Sequence, residues 1–318
     1  MRSLLLLFAL ALAGCYGASL APDPLGHFAA RTDYLHRLEP LGERILHGAA
    51  LSFGPLDPEE RTRPLVYAVY YELHDLPYDW HLTLRTHLDQ YAGYGLPQID
   101  LGFSAAGQPY EAAIAEGQLD EAIERLCWGL QELDRPALLR LGYAFNSSWR
   151  AYEATSYTEA WRRIAQTLRG RWGLDHVALV WTQKADGGSD YLAYYPGDEY
   201  VDWWSIDVAA PQDLRRSRAF VEAAQERGYP VLVGVVTPVT TDLGRAEQAW
   251  PHWFIPFLRF LRHHPNIKAF TYIDWDWSQT ERFVDPILFA RYRSELTHPI
   301  YQHAASPADL HWHLNLDP

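Results

Sequence analysis

Eight short and almost uninterrupted apolar runs punctuate this sequence, at Arg44–Leu51, Leu65–Leu73, Leu96–Gly102, Ala137–Phe145, His176–Trp181, Tyr200–Val208, Pro230–Val236 and Ile267–Trp275. Strands apolar at nearly every position are covered on both faces, which is the condition of a parallel sheet wrapped by helices. The spacers carry helical signals. Ser156-Tyr157-Thr158-Glu159 reads as a capping box opening a helix through about Arg171, with Ala160, Ile164 and Leu168 on one face. Asp213–Gly228 carries Phe220, Val221 and Ala224 at helical spacing and ends at a glycine suited to a C-cap, and Trp250–His264 runs until Pro265 stops it. Alternation of this kind marks βαβ units. Eight such units predict an α/β fold, a closed (β/α)8 TIM barrel in one domain, in preference to an open doubly wound sheet. No repeat, low-complexity run or linker interrupts residues 27–301, which form the predicted barrel, and residues 302–318 are left as a C-terminal tail.

The N-terminus is of another kind. Met1-Arg2 precedes the apolar run Leu4–Leu12, too short to span a bilayer, and Leu12-Ala13-Gly14-Cys15 has the form of a bacterial lipobox. Residues 1–15 are therefore expected to be a lipoprotein signal, with Cys15 lipidated and residues 16–26 a tether, holding the domain at the cell envelope through lipid alone. The other cysteine, Cys127, lies on the apolar stripe Ile123, Leu126, Leu130 and reads as a buried thiol, so no internal disulfide is expected.

Charge narrows the partners. Acidic residues outnumber basic ones 40 to 27, for a net −13, and no Lys/Arg cluster appears, which speaks against nucleic acid or an anionic membrane surface. Aromatic residues make up 14% of the chain, and flat amphipathic rings both fill cores and stack on sugar faces.

In a β/α barrel the reactive face is the C-terminal end of the strands. Read there in order, the sequence supplies Glu72, His74 and Asp75; Asp100; Asn146, Trp149 and Tyr152; Trp181 and Gln183; Trp203, Trp204 and Asp207; Thr237; and Asp274, Trp275, Asp276 and Trp277. A polar floor with aromatic walls suits a polysaccharide cleft, because sugar rings offer apolar faces and hydroxyl edges. The expected sugar-binding set is Asn146, Trp149, Tyr152, Trp181, Trp203, Asp207, Asp274 and Trp275. Neither His263-His264 nor His311-x-His313 has ligand company at metal spacing, and no phosphate loop or nucleophile elbow appears, so neither metal nor cofactor is expected.

Arg135–Trp149, RPALLRLGYAFNSSW, followed by Tyr152 and Tyr157–Arg162, resembles the fourth-strand signature of family 26 glycoside hydrolases. Glu116–Asp120 with Ile123, Tyr195–Trp203 and Ile273–Trp277 extend the resemblance along the chain. It implies a barrel acting on polysaccharides of the mannan or glucan type, with a general acid/base Glu after strand four and a nucleophilic Glu at the end of strand seven. Here those matched positions hold Ala144 and Val235. Retaining hydrolysis requires two carboxyl groups roughly 5 Å apart, and neither a methyl nor an isopropyl group can transfer a proton or attack carbon. The expectation is a tethered polysaccharide-binding barrel without catalytic residues. Two alternatives stand beside it: a working glycosidase with relocated carboxylates, for which Asp207 and Asp274 are the candidates, and a structural lipoprotein with no glycan ligand.

Overall fold

The computed structural model describes residues 36–50, 62–91, 95–185, 190–237, 246–273, 285–303 and 314. The leader with Cys15, the tether and the first residues of the predicted domain lie outside that set, as do Asp274, Trp275, Asp276 and Trp277.

Eight parallel strands follow one another around a ring: β1 Ile45–Ala50, β2 Val66–Glu72, β3 Leu96–Gly102, β4 Ala137–Leu141, β5 Val177–Lys184, β6 Trp203–Val208, β7 Val231–Val236 and β8 Ile267–Tyr272. Each pairs with the next in sequence, and β8 returns to β1 with Leu46 opposite Ala269 and Ala49 opposite Tyr272. The chain is thus a closed (β/α)8 TIM barrel. Between sheet and helices lies one continuous core that includes Trp161, Trp181, Trp204, Trp253, Leu126, Leu130 and Cys127. A second cluster fills the barrel's interior at its N-terminal end. Leu46, Val66, Leu96, Leu138, Val180, Trp203, Leu232 and Ala269 contribute one inward side chain from each strand.

Local differences from the sequence expectations have local causes. β4 ends at Leu141 instead of Phe145 because Gly142 (φ +53°) and Ala144 (φ +55°) turn left-handed. β5 runs on to Lys184, and β6 starts at Trp203 because Asp198–Tyr200 forms a 3-10 turn. Glu153, not Ser156, caps the helix Ala154–Gln166, its carboxylate accepting the Ser156 N–H at 2.8 Å; a π turn over Thr167–Arg171 extends it. The helix expected over 213–228 is two segments, Pro211–Arg216 and Arg218–Glu226, meeting at Ser217, whose hydroxyl donates to the Asp213 carbonyl. That expected over 250–264 opens as a π turn, Trp250–Phe254, before Ile255–His263; it contains Pro251 and Pro256, which have no N–H for the α-helical ladder. The boundary drawn at 301 cuts an element: Tyr301–Gln302 pairs with Ile45 and Leu46, and Leu314 is buried in the interior cluster. No helix among the described residues is long and apolar enough to cross a membrane.

Two glycines open the middle of the barrel. A Cβ on Gly48 would lie 2.6 Å from the Thr271 hydroxyl, and one on Gly234 would lie 2.5 Å from the Arg140 guanidinium carbon. Gly234→Ala is accordingly expected to destabilise the fold by about 1–3 kcal/mol through overpacking. Gly170→Ala, where a Cβ meets nothing within 4 Å, should be neutral or slightly stabilising. Urea denaturation of the two variants compares them directly.

Candidate functional site

Within the apolar run LLRLGY, Arg140 faces the barrel interior and is fully buried. A guanidinium cannot be left unpaired there, and its partners come from across the ring. It donates to Asp100 on β3, to Asp207 on β6 and, through Nε, to the Thr182 hydroxyl on β5 at 3.0 Å. Gln98 extends the network, donating to Asp100 at 3.0 Å and to the Gly234 carbonyl at 2.9 Å while accepting from Thr271 at 2.6 Å. Six of the eight strands are joined by this polar layer. Two carboxylates share one cation. Burial, only partly offset by Arg140, raises Asp100 from its ordinary 3.8 to about 7 and also raises Asp207. Burial by itself would lower Arg140, but Asp100 and Asp207 more than offset it and the guanidinium stays charged.

Above this layer, at the C-terminal end of the strands, a cavity of about 660 Å³ opens. That volume falls within the usual range for small-molecule sites. Its walls come from Tyr70 in β2; Tyr143, Ala144 and Trp149 after β4; Lys184 and Ala185 at the end of β5; Asp207, Val208, Asp213 and Arg216 from β6 and the helix after it; and Val235 and Thr237 at the end of β7. Ala144 and Val235 therefore face one space. Val235 gets there by a register shift at Gly234: Ile206 pairs with Val233 but Asp207 with Val235, so two successive residues of β7 turn inward.

The expected binding residues divide. Trp149, half exposed, and Asp207 line the cavity. Tyr152, Trp181 and Trp203 do not, which corrects their placement on the rim. Trp181 points outward from β5, stacks on Phe145 at 4.7 Å and donates its indole N–H to the Tyr194 carbonyl. Trp203 lies in the interior cluster at the opposite end of the barrel, and Tyr152 is buried, its hydroxyl accepting the Phe103 N–H at 2.9 Å. The Asn146 amide clamps the β5 main chain, donating to the Lys184 carbonyl at 2.9 Å and accepting its N–H at 2.8 Å. Asp274 and Trp275 fall outside the described residues.

Three further residues at the site are not among those the sequence singles out. Arg150 is buried, donates to Glu72 at 3.0 Å and to the Ser104 hydroxyl at 2.6 Å, and lies over the rings of Tyr143 (4.2 Å) and Trp149 (4.3 Å). It props the exposed indole from behind by a cation–π contact. The signal was its position, next to Trp149 in the motif. Tyr143 likewise sits beside Ala144. Lys184 lies three residues past Trp181, where the apolar run of strand five stops, so the run alone does not bring it to the site.

As for chemistry, the described carboxylates on the cavity are Asp207, held by Arg140, and Asp213, whose oxygens accept the Ala209 N–H at 3.0 Å and face Arg216 at 3.5 Å. Both already serve structural partners. Among the described residues no group of three His, Cys, Asp or Glu side chains is arranged to hold a metal ion. His263 and His264 each donate Nδ1–H to the carbonyl four residues back, at 2.7 and 2.8 Å.

Residues 104–238 match the model of glycosyl hydrolase family 26, a span containing both Ala144 and Val235. A β-1,3-xylanase of Alcaligenes sp. is 26% identical over 216 residues, covering 61% of this chain and 46% of the xylanase. A β-1,3-xylanase of Vibrio sp. is 28% identical over 216 residues with the same coverage. The chain thus spans about half the length of these curated relatives. Among solved structures, the Bacillus subtilis mannanase superposes with a TM-score of 0.57 at 20% identity, over 81% of this chain and 86% of the mannanase, a likeness of fold.

The Asp100 carboxyl generates a pH prediction. Its folded value lies above its unfolded one, so its contribution to stability is full below about 4 and is lost as the pH rises through about 7. Wild-type denaturation midpoints should fall from pH 5 to pH 8 by more than those of Asp100→Asn, which has no proton to lose; equal slopes would contradict the shared-cation account. Separately, Ala144→Gly should stabilise the fold by about 1 kcal/mol, because glycine carries no Cβ penalty at φ +55°.

Proposed function

Taking the chain as a glycosyl hydrolase family 26-like barrel, we propose that it binds a polysaccharide without hydrolysing it, held at the cell envelope by a lipid on Cys15. One observation carries the reading. Ala144 and Val235, the positions matched to the acid/base and the nucleophile, line the same cavity as the exposed indole of Trp149. The cavity is open and offers a stacking platform while both matched positions lack a carboxyl group. Relatives named as β-1,3-xylanases support a glycan as the ligand class. The leader, too short to span a bilayer and ending in Leu12-Ala13-Gly14-Cys15, supports the anchor.

Wild-type protein is expected to give no turnover of β-1,3-xylan or β-mannan. Ala144→Glu with Val235→Glu should restore slow hydrolysis, and neither single change should, because paired catalytic groups act as a unit. Wild-type hydrolysis abolished by Asp207→Asn, in a variant whose circular dichroism shows it still folded, would instead establish relocated carboxylates. Trp149→Ala should weaken glycan binding by roughly 1–3 kcal/mol in calorimetry while leaving the thermal midpoint nearly unchanged. Cys15→Ala should move the protein from the membrane fraction to the soluble fraction or leave an unprocessed precursor.

A further inference from the structure

We propose that this cavity selects an acidic sugar, a residue bearing a carboxylate or a sulfate ester, with Lys184 as the cation that recognises it. The inference rests on the glycan-binding reading and deepens it. Lys184 ends β5 on the cavity wall, partly buried, and among the described residues its ammonium group has no ion pair or hydrogen bond. The Asn146 clamp fixes its main chain on both sides, so the side chain springs from a rigid point. The neighbouring acids have direct partners of their own, Asp207 sharing Arg140 with Asp100 and feeling Lys184 only through space. Asp207 is held from below by Arg140, and Asp213 faces Arg216 and caps Ala209. Lys184 is the charged group on the described wall without a direct ion pair, opposite Asp207 in the β5–β6 register and otherwise set among alanine, valine and aromatic side chains.

A glycosidase cleft with two ionised carboxylates repels an anion. With Ala144 and Val235 at the matched positions, those two carboxyl groups are absent, and the two acids that do line the described wall, Asp207 and Asp213, each have an arginine beside them. The chain's net charge of −13 does not decide the matter. Exposed acids more than about 8 Å away are screened at physiological ionic strength, whereas a cation on a partly enclosed, weakly hydrated wall acts at contact. Trp149 offers the ring face for the sugar and Lys184 the counter-charge for its substituent.

Calorimetry on the full chain with three probes tests this: a hexuronic acid oligosaccharide, its carboxyl-reduced neutral counterpart, and a sulfated neutral oligosaccharide. At least one anionic probe should bind roughly tenfold or more tightly than the neutral one, and added salt should weaken only the anionic probes. Which anionic probe binds identifies the substituent. Lys184→Gln should abolish the preference, and Lys184→Arg, which keeps the charge, should retain it. Equal binding of neutral and anionic probes, unchanged in Lys184→Gln, overturns the role of Lys184 and leaves glycan binding intact. Failure of every probe to bind, with Trp149→Ala indistinguishable from wild type, overturns the glycan reading itself and this inference with it.

Discussion

A guanidinium with no access to water sits at the centre of this barrel, and much else is arranged around the need to satisfy it. Arg140 takes carboxylates from β3 and β6 and a hydroxyl from β5. Gly234 on β7 gives it room. Removing one partner from such a cluster leaves a buried uncompensated charge, a loss of about 3–5 kcal/mol in comparable cases. The layer also separates two regimes. Beneath it the interior is closed by aliphatic side chains and Trp203; above it lies the cavity. Asp207 belongs to both, a structural partner of Arg140 that also shows an edge to the cavity.

The architecture was legible because a parallel strand buried on both faces leaves an unmistakable apolar run, and eight such runs separated by helical spacers allow few topologies. The site was less legible, and parity is the main reason. Successive strand residues point to opposite faces, so a tryptophan near a strand end has two destinations. Trp181 goes outward into the helix-covered core and Trp203 goes inward at the wrong end. The interior charge could have been anticipated, since an arginine inside an apolar strand must find carboxylates, and Asp100 lies on the run before it and Asp207 two runs after it. The bulge that turns Val235 into the cavity was signalled only by a glycine within a strand, which is ambiguous without coordinates.

The loop after β4 shows how a short segment fixes a site. Two left-handed residues, Gly142 and Ala144, take the chain out of the strand. At Gly142 a side chain would meet Phe103 and Tyr157 below 3 Å, so glycine is required by space as well as by φ. Beyond the turn, Asn146 replaces the missing strand ladder with a side-chain amide paired to β5. The backbone can therefore leave the barrel without losing its tie to the neighbouring strand, and Trp149, three residues on, starts from a fixed position backed by Arg150.

Closure of the ring joins residues that are made far apart in time. β1 leaves the ribosome before the other strands of the ring, yet its partner β8 follows more than two hundred residues later, and Tyr301 and Leu314 complete the same end of the barrel still later. Until then β1 has an unpaired edge and the interior aliphatic layer has no floor, both of which invite association with other chains. A barrel built this way is a late-committing fold: most of its chain must be present before the last contacts form, and the long-range pairing makes that step intrinsically slow.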